Sequence, residues 1–431
     1  MILNYEVTNW ACFADTVRFS MEAGPERDPM GKLARVGSKS RPLKVLPMAA
    51  IYGNNASGKT QFIESLLFLR NLMLGEYKAK RIPRSPFALD SMSTGRMTSF
   101  VLQFIIEAQI YELSIDLTDV EIISEELSVF STRAKDKTLL YRRKGSAVEE
   151  CVWGDESFRS YVKGMKIEAT RAFLTLSAML ENKDAQIAKV FTWFARTLQI
   201  ISPSSRYMAL EDYCAPGDIG SRAIEYLSRF DTGIARLEPK VVDLGQFSPP
   251  LIEELRANLT PGASTRRMIG SSVYVFELTT DSALIAKKLY AVHTAEDGSQ
   301  MAFPMDMESD GTRRMLDLIP AVCKLKSDAC PTVFIVDEIV RNLHHLVTRA
   351  LIEDFLESCT PEARSQLIFT THDLLLMDQK ICRRDEMWAA DKSPDGKSRL
   401  TDFSSFAGIR KDTNIRDVYL EGRFGGVPRS L

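Results

Sequence analysis

Histidine is scarce in this chain: four occur among 431 residues, and no group of them has metal-ligand spacing. His344 and His345 are adjacent and cannot share one helix face, which removes the simplest helical metal site. The seven cysteines are odd in number and scattered, at Cys12, Cys151, Cys214, Cys323, Cys330, Cys359 and Cys382, with no C-x-x-C pair. That pattern excludes a disulfide framework and a zinc ribbon, and reads as free thiols in a reducing cytosol. No apolar run is long enough to span a bilayer. The opening MILNYEVTNW carries neither a basic n-region nor a signal-peptide core. A soluble, cytoplasmic protein without membrane contact is therefore expected. An excess of charge is also missing: 55 basic and 57 acidic residues leave a net charge of -2. Whole-chain electrostatics gives no case for nucleic acid. Internal repeats, low-complexity tracts and sustained heptads are absent, so a long coiled-coil arm is excluded.

What is present is ordinary globular composition, 45% hydrophobic and 26% charged, at a length that suits two or three packing units. Strands are expected at Ile2 to Asn9 and Thr16 to Met21, then a loop over residues 22–44. The run VLPMAAIY, Val45 to Tyr52, suits a buried strand, and Lys59 to Leu74 has helical periodicity. Residues 100–141 read mostly as strand, with Phe100, Leu102 and Phe104 alternating, as do Tyr111, Leu113, Ile115 and Leu117. Residues 155–230 turn helical, with Trp193 and Phe194 read as core. Residues 241–272 read as a linker or loop with one short helix. Strands return at Val273 to Leu278 and Ala283 to Val292, a helix follows Gly311, and buried strands follow at Thr332 to Val336 and Gln366 to Thr370.

Gly53, Asn54, Asn55, Ala56, Ser57, Gly58, Lys59 and Thr60 read GNNASGKT, a complete match to G-x-x-x-x-G-K-[ST] between a buried strand and an amphipathic helix. The glycines let backbone N–H groups turn inward on phosphates. Lys59 can reach the β- and γ-phosphates of ATP, and the Thr60 hydroxyl can ligate Mg²⁺. The helix N-terminus adds a favourable dipole. The second motif is TVFIVDE at Thr332 to Glu338, an apolar strand that delivers Asp337 and Glu338 at its C-terminal end. Asp337 would hold Mg²⁺ through water, and Glu338 would polarise the attacking water. Alone this motif is weak; paired with the glycine loop it becomes strong.

Four further segments join these two: MESDGTRRM at Met307 to Met315, VDEIVRNLHH at Val336 to His345, FTTHDLLLMD at Phe369 to Asp378 and YLEGRFGGVP at Tyr419 to Pro428. With them, and with the long stretch between Lys59 and Asp337, the chain resembles the compact ABC-type ATPases of the OLD-like, abortive-infection group, relatives of SMC and RecF heads. The resemblance covers both ends well and the middle poorly. It implies an α/β fold: a P-loop ATPase head with a mixed sheet, a β-lobe and an inserted helical subdomain. Residues 1–150 would form the first half of the head, 151–272 a mainly helical insertion, and 273–431 the second half. By resemblance, Ser309, Gly311 and Thr312 form the signature loop that reaches the γ-phosphate of a partner copy's ATP. Without the family, SDGT is simply a good helix cap. By resemblance, His372 contacts the γ-phosphate; a neutral imidazole can offer one N–H there. One loop departs from the pattern: Val340 stands at the usual acidic position, Asn342 at the usual Ser and His345 at the usual Pro. That loop normally couples the two sites of a dimer, so the departure implies slow turnover.

The resemblance implies a homodimer or higher homo-oligomer. It also implies a separate effector from the same operon, a nuclease or TOPRIM-type protein, held under nucleotide control in phage defence. A RecF- or SMC-like DNA-repair or DNA-end-sensing ATPase is the alternative, and a nucleotide-stabilised scaffold with negligible turnover is the third reading. No nuclease site is visible in the chain itself. Two basic runs, Lys32, Arg35, Lys39, Arg41 and Lys44, then Lys78, Lys80, Arg81 and Arg84, read as solvated loops. A DNA-facing surface is their other reading.

Overall fold

The structure is a computed structural model that describes residues 1–26, 28, 31–77, 80–131, 137–153, 156–180, 185–202, 213, 219–270, 272–327, 331–406 and 413–427. Cys214, Cys330, Lys78 and Pro428 lie outside the described residues. The chain divides into two compact units. The first comprises residues 1–203, 325–339 and 352–431; the second comprises 204–324 and 340–351. No described helix is long and apolar enough to cross a membrane.

The first unit is built on a six-stranded sheet in the order Leu198–Ile201, Val333–Val336, Gln366–Thr371, Met48–Gly53, Met387–Lys392, Ser398–Asp402. The first five strands are parallel and the last is antiparallel. Every residue of Met48–Gly53, Val333–Val336 and Gln366–Thr371 is buried. That explains the continuous apolar runs, because a parallel strand covered on both faces has no solvent side to alternate with. Gln366 opens its strand as a buried polar residue, and its polar groups are all used: it accepts from Ile2 N and donates to Ile2 O and Leu46 O.

An antiparallel sheet of seven strands packs in the same unit, in the order Ala147–Cys151, Thr138–Lys144, Ile122–Ser131, Gln109–Leu117, Thr98–Ile106, Ile2–Thr8, Val17–Ser20. Its register sets Phe100 opposite Ile115, Leu102 opposite Leu113 and Phe104 opposite Tyr111, so the alternating residues form one apolar face. The helix Lys59–Leu74 joins this core through Phe62, whose ring meets Tyr5, Phe13 and Phe19 at 5.6, 6.5 and 5.3 Å between centroids. Trp193 stacks on Phe104 at 4.3 Å, and Phe194 is fully buried beside it.

The second unit contains an antiparallel sheet ordered Ile234–Val242, Leu284–Thr294, Ser272–Leu278, Ser264–Ile269, with Gln300–Pro304 also paired to Leu284–Thr294. The helix Pro249–Asn258 contributes Leu255 to a small core with Phe247, Phe276, Leu278, Leu284 and Ala286.

Several local expectations change. Residues 22–44 are more than loop: Ala34–Val36 and Leu43–Val45 pair as a short hairpin, because Ala34, Val36 and Val45 bury against the first unit. The stretch 151–272 contains the strands Leu198–Ile201, Ile234–Val242 and Ser264–Ile269 among its helices. Its helices Glu156–Gly164, Phe173–Met179 and Ala185–Thr192 belong to the first unit. Residues 241–272 hold the expected short helix, Pro249–Asn258, and in addition the strand Ser264–Ile269, which takes its place at the sheet edge by pairing with Ser272–Leu278.

A buried ion pair fixes the antiparallel sheet to this helical stretch. Glu125 and Arg143 are both fully buried. Glu125 accepts from Tyr141 Oη at 2.7 Å, Phe173 N at 2.7 Å and Leu174 N at 3.0 Å. Arg143 donates to the carbonyls of Gly145 and Glu168. Removing one member of such a pair strands the other in a low-dielectric interior. Glu125→Ala is expected to cost about 3–5 kcal/mol in urea unfolding, and a loss below about 1 kcal/mol would show that the pair is not needed.

Candidate nucleotide site

The loop after Met48–Gly53 is shaped by backbone contacts that only glycine tolerates at two positions. Gly53 has φ 157°, and a Cβ there would sit 2.5 Å from Ala390 O and 2.7 Å from Ser57 Oγ. Gly58 has φ 109°, and its Cβ would meet Cys12 Sγ at 2.9 Å. Ala56, between them, takes the left-handed conformation at φ 61°. Helix Lys59–Leu74 then starts on Gly58, with no side-chain cap and no acidic residue in its first turn. Its first N–H groups therefore keep their capacity for an anion.

Lys59 is buried, and its ammonium donates to Gly53 O at 2.7 Å and Asn54 O at 2.9 Å. Burial lowers its pKa, against the opposing pull of Asp337 and Glu338. A dianionic phosphate would add the counter-charge that burial demands. Thr60 is exposed at the helix start.

Val333–Val336 ends at Asp337, which is 1% exposed. Thr370, on the strand between those carrying the two motifs, organises this end. Its hydroxyl donates to Asp337 Oδ1 and accepts from Glu338 N at 2.8 Å, while its carbonyl accepts from Ile339 N at 3.1 Å. Asp337 N is held by Ile201 O at 2.9 Å. These bonds keep Glu338 in the left-handed region at φ 50°, a conformation that costs a non-glycine residue of order 1 kcal/mol or more and marks functional positions.

Asp337 Oδ2 is buried and has no hydrogen-bond partner, and so is the hydroxyl of Ser57 in the loop. Buried carboxylate oxygens are rarely left unpaired, so this orphan acceptor fits a missing donor such as metal-bound water. Hard oxygen donors, with no thiolate or imidazole among Asp337 and Thr60, suit Mg²⁺.

His372 is exposed, one residue past Thr371, which pairs with Tyr52 beside the glycine loop. Asp373 turns the chain there, with its N–H on Thr371 Oγ1 and its carboxylate accepting from Leu375 N. The structure thus brings the glycine loop, Asp337, Glu338 and His372 to the C-terminal ends of three neighbouring parallel strands, where doubly wound sheets bind ligands.

Ser309, Gly311 and Thr312 lie in the second unit, at the N-terminus of helix Asp310–Leu325. Ser309 Oγ caps the helix, accepting from Thr312 N at 3.1 Å and bonding Thr312 Oγ1 at 2.9 Å. A Cβ on Gly311 would come 2.8 Å from Asn342 O, so the turn at Gly311 packs closely on the backbone of the loop at Asn342. Asn342 itself has φ 60°, and Val340 is buried.

Sheet order, glycine loop and paired acidic strand end define a P-loop ATPase head. The chain belongs to the family described as "AAA domain, putative AbiEii toxin, Type IV TA system", whose profile matches residues 48–378. No curated protein matches the chain. Among solved structures, an SMC head bound to the C-winged helix domain of ScpA is 13% identical, with a TM-score of 0.41 over 93% of this chain and 97% of that one. The SMC head domain from Thermotoga maritima is 11% identical, with a TM-score of 0.36 over 93% and 98%. The recombination mediator RecF with ATP is 11% identical, with a TM-score of 0.32 over 93% and 99%. These likenesses are remote, and the class rests on the chain's own sheet, loop and family.

Thr370 is the site residue that motif reading passed over. Its signal is present in FTTHD, where two hydroxyl residues close an otherwise apolar buried strand. Thr370→Val removes a bond at Asp337 and another at Glu338 N together. It is expected to weaken Mg²⁺-dependent nucleotide binding by roughly tenfold, from about 1–3 kcal/mol of unpaired polar groups. Calorimetry with and without Mg²⁺ checks this, and wild-type affinity in the variant would contradict it. Phosphate binding requires Lys59 in its charged form, so affinity should fall as pH rises through its lowered pKa, below the ordinary lysine value. Lys59→Arg should flatten that fall, and a titration series in alkaline buffers reads it.

Proposed function

We propose that this chain binds and slowly hydrolyses MgATP, and that two copies closed over ATP act as a switch on a separate effector protein. The observation that carries the nucleotide part is the unpartnered Asp337 Oδ2, at a strand end on the same sheet edge as the glycine loop and one strand away from it. Gly53 to Thr60 hold the phosphates, and Lys59 neutralises the β- and γ-phosphate charge. Thr60 and Asp337 would hold Mg²⁺, which spreads the negative charge of the phosphates when bound. Glu338 accepts a proton from the attacking water, whose oxygen bonds the γ-phosphorus as the bond to the ADP oxygen breaks. His372 donates an N–H to the γ-phosphate. Ser309, Gly311 and Thr312 of one copy complete the other copy's site by their helix N-terminus.

The switch reading is supported by the loop at Val340 and Asn342. An apolar, buried Val340 has no charge with which to sense the neighbouring site, and a slow ATPase suits a two-state holder better than a motor. Family membership and the OLD-like resemblance together favour a defence role with a nuclease or TOPRIM-type effector.

A second reading, a DNA-sensing ATPase, is favoured by one hairpin. Arg35 and Lys44 stand directly opposite each other there, both exposed, with Lys39 and Arg41 near the turn. Like charges across a strand pair repel, and a polyanion would relieve them.

Two variants and one co-expression experiment separate these readings. Glu338→Gln should bind ATP, lose hydrolysis and lengthen the closed dimer's life in light scattering; parental hydrolysis would place the base elsewhere. Ser309→Arg should bind ATP as a monomer and fail to associate, and normal ATP-driven association would remove the shared site. Co-expression with the neighbouring gene, with sizing in ATP, tests the effector. If the proteins elute apart in every nucleotide state and Glu338→Gln changes no toxicity, the DNA-sensing reading takes its place.

A further inference from the structure

The glycine loop has a neighbour that no phosphate-binding motif contains. Segment 419–427 returns to the C-terminal end of the central sheet and lays its backbone against the start of the loop. A Cβ on Gly426 would come 3.4 Å from Gly53 Cα, 3.1 Å from Ala390 O and 2.9 Å from Tyr419 Oη. Ala390 is the register partner of Gly53 on the adjacent strand. Backbone atoms of Gly53, Ala390 and Gly426 therefore come together beside the Tyr419 hydroxyl, and a side chain on either glycine would not fit there. Gly426 has φ 75°, so both its conformation and its surroundings favour glycine.

The segment is itself held rigidly. Helix Ile415–Leu420 ends in a Schellman turn at Gly422, with Gly422 N bonded to Tyr419 O and Arg423 N to Val418 O. Phe424 lies face to face with Phe403 at 4.1 Å and 3°. Gly426 is then gripped at both ends of its peptide unit: Asp391 Oδ1 accepts from its N–H at 3.0 Å, and Tyr419 Oη donates to its carbonyl at 2.8 Å. Burial and the nearby Asp391 raise the Tyr419 pKa to about 12, so this donor stays protonated through physiological pH.

We propose that segment 419–427 is a brace for the phosphate loop, in which Asp391 and Tyr419 hold Gly426 and Gly426 fixes the backbone of Gly53. The proposal rests on the nucleotide reading of the loop given above. Asp391, Tyr419 and Gly426 are positioning residues: they act on phosphate through Gly53. A loop whose first residue can shift aims its N–H groups poorly, and small misplacements at a preorganised site are costly. The brace acts on the phosphate end, so its loss should weaken MgATP and magnesium tripolyphosphate by the same factor.

Calorimetric titration of the full chain with both ligands, beside thermal unfolding without ligand, is the test. Gly426→Ala should weaken both ligands roughly tenfold, and Tyr419→Phe and Asp391→Ala by several-fold each, on the scale of one lost hydrogen bond. Asp391→Asn keeps a carbonyl oxygen for the Gly426 N–H and should restore much of the affinity lost in Asp391→Ala. If Gly426→Ala does not fold, the Tyr419 and Asp391 variants still decide. Lower melting temperatures with wild-type affinity for both ligands would overturn the brace and leave a merely structural segment. Losses confined to ATP, with tripolyphosphate unaffected, would overturn it as well. A wild-type chain that binds neither ligand overturns the nucleotide reading and the brace together, whereas wild-type binding with unaffected variants overturns the brace alone.

Discussion

One hydroxyl group organises the acidic end of this site. Thr370 Oγ1 gives its proton to Asp337 and takes the N–H of Glu338. It thereby commits one oxygen of Asp337 and leaves the other unpaired inside the protein. It also holds Glu338 in a backbone conformation that an isolated chain would avoid. An unpaired buried carboxylate oxygen and a strained neighbour are each unfavourable taken alone. They make sense where a ligand supplies the missing donor, and where precise placement of Glu338 is worth its strain.

The glycine loop shows a matching arrangement with the opposite sign. Its helix begins without a cap, its lysine is buried on carbonyl groups, and the burial weakens the charged form. On one side, then, the ammonium is hydrogen-bonded only to carbonyl groups, and on the other a carboxylate oxygen is left without a donor. Phosphate oxygens and an accompanying cation would satisfy both sides at once. Parallel pairing makes this possible, because it sends the ends of three buried strands to the same edge of the sheet.

Much of this was legible in the residues. The glycine loop, the helix Lys59–Leu74 and the acidic strand end were all readable, because each depends on local sequence: a fixed glycine spacing, a helical apolar stripe, an unbroken apolar run. The alternation of Phe100, Leu102 and Phe104 likewise marked the antiparallel sheet. Thr370 was readable only as a hydroxyl closing the apolar run of FTTHD; its role arises from a strand inserted between two others, and sheet order is not written in any one segment. The strands Leu198–Ile201 and Ser264–Ile269 were hidden for a related reason. The first is four residues long and follows a helical stretch; the second is an edge strand rich in arginine. The approach of Gly426 to Gly53 joins distant parts of the chain through backbone alone, so it leaves no mark beyond the glycines themselves.

Asp337's unpaired oxygen and the glycine loop are proposed to form one site for nucleotide and metal. The most direct measurement is the ATP dissociation constant with Mg²⁺ and with EDTA, for the parental chain and for Asp337→Asn. The account predicts that Mg²⁺ tightens binding in the parental chain and that Asp337→Asn abolishes most of this gain, while metal-free affinity changes little. Equal affinity with and without Mg²⁺ in the parental chain, or a full Mg²⁺ gain in Asp337→Asn, would contradict it.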